Sequence, residues 1–136
     1  MRLCLGRSGT LRSVSLPIRD LGDHEILSQY GNRYKPLGGP AFRRRPRWGR
    51  EQAVSVIIGD VTPKQAATTI GLNHRRGDGV RRTVVGRLEA AGFYVRHAPS
   101  PMNPDHALVG RHGDWTEDVS RAFDACFDEP EWEDPT

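Results

Sequence analysis

A chain of 136 residues fits one domain with a real core and is too short for two; its 36% hydrophobic content predicts that part of it is arm or tail. No run of about 18 apolar residues is present, the opening MRLCLGRSGTLRSVS lacks the apolar stretch of a secretory signal, and Cys4 and Cys126 lie near opposite ends. These features argue against a membrane span, a disulfide scaffold and a cysteine zinc site, and a cytoplasmic setting is expected. The net charge of +3 hides a strong asymmetry: +8 over residues 1–50, +3 over 51–111 and −8 over 112–136. Charge segregated in this way marks segments that meet a partner, or each other.

In chain order, residues 1–50 are broken repeatedly by glycine and proline and read as an irregular, basic N-terminal arm that ends in Phe42–Arg50 (FRRRPRWGR). Glu51–Gly59 is open between two assignments. Its run Val54, Val56, Ile57, Ile58 favours a strand, while its length and position suit a first helix. The next element is clearer. Thr62 is an N-cap, Pro63 falls at N1, Gln65 completes a capping box and Gly71 closes the helix. After the polar turn His74–Gly79, positions 80, 84, 88 and 91 predict one face of a second, longer helix closed by Gly92. Phe93–Ala98 and His106–Arg111 predict a hairpin around the loop Pro99–Asp105. Trp115, Val119, Ala122, Phe123 and Cys126 then follow helical spacing through Phe127, with Asp114 and Glu117 as caps.

The expected fold class is therefore α/β (α+β): a small single domain in which a helix-turn-helix is followed by a β-hairpin and a C-terminal amphipathic helix. The expected division is an arm at 1–50, a compact helix-helix-hairpin-helix domain at 51–127 and a solvated acidic tail at 128–136.

The runs Gln65-Ala66-Ala67-x-x-Ile70-Gly71-Leu72 and Arg87-Leu88-Glu89-Ala90-Ala91-Gly92-Phe93, with Val95-x-His97 leading into a hairpin, resemble a winged helix-turn-helix DNA-binding domain over residues 60–111. The resemblance implies a recognition helix in the major groove and a hairpin wing on the backbone. It implies Arg75, Arg76, Arg81 and Arg82 at the start of that helix as base and phosphate contacts. Arg43, Arg44, Arg45 and Arg47 would add salt-dependent affinity from the arm. On this view the chain is a non-enzymatic nucleic-acid-binding regulator, with transcription regulation as its setting.

Two other functions stay open: a protein-interaction module of antitoxin or immunity type, engaging a partner through the charged ends, and a small metal-independent ribonuclease toxin using His97 and His106. For those histidines the plain structural assignment is a cross-strand pair, with His106 anchoring the Asn103-Pro104-Asp105 turn. No H-E-x-x-H spacing, Walker lysine or G-x-G-x-x-G run is present, so no metal, cofactor or catalytic residue is expected. A homodimer is compatible with the sequence.

Overall fold

The computed structural model describes residues 16–35, 39–46 and 52–136. Its centre is a six-stranded antiparallel sheet. The strands are β1 (Ile26–Asn32), β2 (Ala53–Ile58), β3 (Asp78–Val84), β4 (Tyr94–His97), β5 (His106–Gly110) and β6 (Glu131–Trp132). Their order across the sheet is β4-β5-β2-β1-β3-β6. Three short helices, α1 (Pro63–Thr69), α2 (Val85–Ala90) and α3 (Glu117–Asp124), complete the described elements.

The expected fold class is corrected by this sheet. Residues 80–84, assigned from the sequence to the second helix, and Asp78 and Gly79, assigned to the turn before it, form strand β3, and only the six residues Val85–Ala90 after it are helical. No helix-turn-helix precedes the hairpin. The segment 1–50, assigned as irregular, supplies the central strand β1, which pairs with β3 along seven residues from Ile26↔Val84 to Asn32↔Asp78. Within the segment left open between helix and strand, Ala53–Ile58 is strand, as its β-branched run favours.

Other expectations hold in detail. Thr62 caps α1 with both halves of the capping box formed: Gln65 N donates to Thr62 Oγ1 at 3.1 Å, and Thr62 N donates to Gln65 Oε1 at 2.9 Å. The hairpin β4–β5 is present, registered by Val95↔Val109 and His97↔Ala107. Helix α3 forms where its apolar spacing lies, although Thr116 is its cap, accepting from Val119 N at 3.3 Å.

Alternation along the strands sends Leu27, Val54, Val56, Ile58, Ala107 and Val109 to one face. There they pack with Val85 and Leu88 of α2 and with Phe93, Phe123 and Cys126. Phe123 is the hub, with ring centroids 5.7 Å from Phe93, 5.7 Å from Trp115 and 4.9 Å from Phe127. Helix α2 has no side-chain cap; its first amides are taken instead by the carbonyls of Glu25 and Asp23 at 3.1 and 2.9 Å. On the far side Ala66 and Ala67 bury α1 against β1 and β3.

The acidic C-terminal stretch joins the sheet. Strand β6 pairs Trp132 with Gly79, and the Trp132 ring lies where a Cβ on Gly79 would be. Asp128 pairs with Arg87 at 3.0 Å and Glu131 with Arg82 at 2.6 Å. Among the described residues no helix is long and apolar enough to cross a membrane.

Candidate functional site

The sheet is split. Strands β1 and β2 share only the pairs Leu27↔Ile58 and Ser28↔Ile57, and beyond them they part. Residues 41–43 take up the place beside the far end of β1: Gly31 bridges Phe42, and Asn32 N donates to the Ala41 carbonyl at 3.1 Å. Gly31 permits this, since a Cβ there would overlap both the Ala41 carbonyl and the Phe42 ring.

A cleft of about 820 Å³ opens along this divide, bounded by the end of α1 and by the β4–β5 loop. Its polar surface includes Tyr30, Asn32, Ser55, Asn103 and His106; its cations are Lys35, Arg43 and Arg75. Among the described residues no aspartate or glutamate lines it. Its rim carries exposed apolar side chains, Ile70, Leu72 and Met102, the last 84% exposed.

Two hydrogen-bonded groups hold the polar surface. Asp78, wholly buried, accepts from the Tyr30 hydroxyl at 2.5 Å, from Asn32 Nδ2 at 2.9 Å and from the Arg75 amide at 2.9 Å. Burial opposes its charge, but the Tyr30 hydroxyl, the Arg75 amide, Asn32 and the Arg75 charge outweigh it and hold the carboxyl below the usual aspartate range. Burial, and then the bond to Asp78, pushes the Tyr30 hydroxyl up. The carboxylate thus positions Tyr30 and Arg75 while lying outside the cleft surface.

The second group is His106. Its Nδ1 lies 2.8 Å from the Ala98 carbonyl and its Nε2 lies 3.0 Å from Ser55 Oγ. A carbonyl only accepts, so Nδ1 carries the proton, and Nε2 accepts from the serine hydroxyl. The loop before it is locked by paired Ser100 and Asn103 backbone bonds of 3.1 and 3.0 Å and by the His106 amide donating to the Asn103 carbonyl at 3.1 Å.

Of the seven described arginines among the eight singled out from the sequence, Arg43 and Arg75 reach this cleft. Arg76 lies over the Tyr34 ring at 5.2 Å. Arg81, 7% exposed, is a core residue. Arg82 is held by Asp60 and Glu131, both at 2.6 Å. Arg44 pairs with Glu117 and Asp124 at 3.3 and 3.5 Å, and Arg45 with Glu117. Arg47 lies outside the described residues. The opposite charges of the two ends therefore meet within the chain. His97 does not join His106: it is buried, its Nδ1 accepts from Arg19 N at 3.2 Å and its Nε2 donates to the Pro104 carbonyl at 2.8 Å.

Sequence reasoning missed Tyr30, Lys35, Ser55 and Asn103. The one available signal was Ser55, a polar residue interrupting the apolar run of β2. Among the described residues no three His, Cys, Asp or Glu side chains gather as metal ligands. No family model, curated protein or solved structure matches the chain.

Proposed function

We propose that the protein binds single-stranded nucleic acid in the cleft between β1 and β2. The observation that carries this reading is the charge of the described lining: Lys35, Arg43 and Arg75 with no carboxylate among the described residues, in a chain holding 17 acidic residues. Cations alone would suit any anion. The apolar rim of Ile70, Leu72 and Met102 adds surface for the faces of unstacked bases, and buried Asn103 adds an amide for a base edge. A concave site suits a single strand, because reading a duplex groove requires a protruding element, and residues 78–84 are a strand within the sheet.

Fluorescence anisotropy with labelled single-stranded and duplex oligonucleotides across salt tests this. Lys35→Ala, Arg43→Ala and Arg75→Ala are each expected to weaken single-strand binding and lower the salt slope by about 0.7. Tighter binding to duplex, or indifference to all three substitutions, would overturn the reading.

A further inference from the structure

His106 combines three properties of a general base. Its tautomer is fixed by the Ala98 carbonyl, its Nε2 lone pair is held at the cleft by nothing stronger than the Ser55 hydroxyl, and cationic side chains line the same cleft. A second, independent observation points to a ligand there. Asn103, 9% exposed and lining the cleft, has a buried Oδ1 with no hydrogen-bond partner. A buried acceptor left unpaired is costly, and an amino group of a bound base would relieve that cost as the side chain turns to meet it.

We infer that His106 is the general base of a metal-independent RNA-cleaving site, an activity that rests on the single-strand reading above and extends it. The 2′-hydroxyl of a bound ribonucleotide gives its proton to His106 Nε2 as the Ser55 hydroxyl moves aside. The 2′-oxygen then attacks the adjacent phosphorus, a new P–O2′ bond forms and the P–O5′ bond breaks. The departing 5′-oxygen takes a proton from water, and the hydroxide so formed recovers the proton held by His106. The products are a 2′,3′-cyclic phosphate and a 5′-hydroxyl, with no change in oxidation state. Lys35, Arg43 and Arg75 offset the charge that grows on the phosphoryl oxygens. His97, committed to Arg19 and Pro104 on the opposite face, takes no part.

The test incubates the full chain, in EDTA, with a labelled oligoribonucleotide and with DNA of the same sequence, and identifies products by mass; anisotropy on both strands runs in parallel. Cleavage of RNA only, ending in a cyclic phosphate, is expected. His106→Gln and His106→Asn, checked for folding by thermal melting, should lower the rate by at least about 10²-fold. His24→Ala, an exposed histidine remote from the cleft, should leave it unchanged. Wild-type rates in the folded His106 variants would overturn the inference, as would equal cleavage of DNA, which would point to Ser55 as nucleophile. Strand binding without cleavage would overturn the inference and leave the binding reading standing; absence of both would remove both.

Discussion

Arg81 donates from Nη1 to the Asp124 carboxylate at 2.9 Å, and through that bond strand β3 is tied to helix α3. The guanidinium also donates from Nε to Gln29 at 2.7 Å and lies 4.2 Å from the centroid of Phe127 and 4.8 Å from that of Phe42. A buried cation that loses its partner carries an uncompensated charge. Asp124→Ala is expected to destabilise the fold by about 2–3 kcal/mol, below the full range for buried pairs because the carboxylate is partly open to solvent. Urea unfolding measures this, and Arg81→Met should cost less than Asp124→Ala. The reverse order would show that the arginine serves the fold by packing and not by its charge.

Asp78 should govern acid stability. Its folded pKa is lowered, so its contribution is present above the unfolded value, near pH 4, and is lost as pH falls through the lower folded value. Between neutral pH and pH 3 the urea midpoint of the wild type should fall more steeply than that of Asp78→Asn. Tyr30 has the opposite sign. Its raised pKa contributes stability below about pH 10 that is lost as pH rises through the folded value, so Tyr30→Phe should flatten the alkaline limb. Parallel pH curves for wild type and either variant would exclude that variant's side chain as the source.

Gly79→Ala should detach β6. The added methyl meets the Trp132 ring and lies 3.0 Å from the Glu131 carbonyl, so the strand must move, at an expected cost of about 1–3 kcal/mol. Limited proteolysis followed by mass spectrometry should show faster cleavage after residue 125. Gly39→Ala, which meets nothing within 4 Å, is the control. Equal protease resistance in the two variants would mean that β6 accommodates the methyl in place.

The cleft rim separates binding from folding. Leu72→Ser and Met102→Ser alter exposed side chains and should change stability by no more than about 0.5 kcal/mol. Each should weaken oligonucleotide binding by about fivefold, the equivalent of ~1 kcal/mol of apolar contact. Unchanged affinity in both would restrict the ligand contact to the cations.

What the sequence disclosed followed from how local the cause was. The α1 cap, the Gly92 helix stop and the β4–β5 hairpin each depend on residues within a few positions of one another, and each is where the pattern put it. Strand β3 was misassigned for an identifiable reason. Val80 and Val84 are four apart, a spacing that lies on one face of a helix and also on one face of a strand. The residues that would have broken the tie, Arg81 and Thr83, point into the core, where Asp124 and the Cys126 carbonyl accept hydrogen bonds from them. Polar side chains turned inward erase the alternation that marks a strand. Strand β1 was hidden in the same way by Ser28, Gln29 and Asn32, all buried. The cleft was illegible because its residues come from five separate segments, brought together only by the order of the strands.

The short seam between β1 and β2 makes the sheet two leaves of three strands, β4-β5-β2 and β1-β3-β6, stitched at Leu27–Ser28 and Ile57–Ile58. Inside each leaf the ladders are longer at the positions that flank the seam, five pairs for β2–β5 and seven for β1–β3. Deformation concentrates where the fewest bonds resist it. Between the two central strands the cleft is therefore held by a two-pair seam, and a ligand that spans both leaves would act as the missing rungs of that ladder, stiffening the join as it binds.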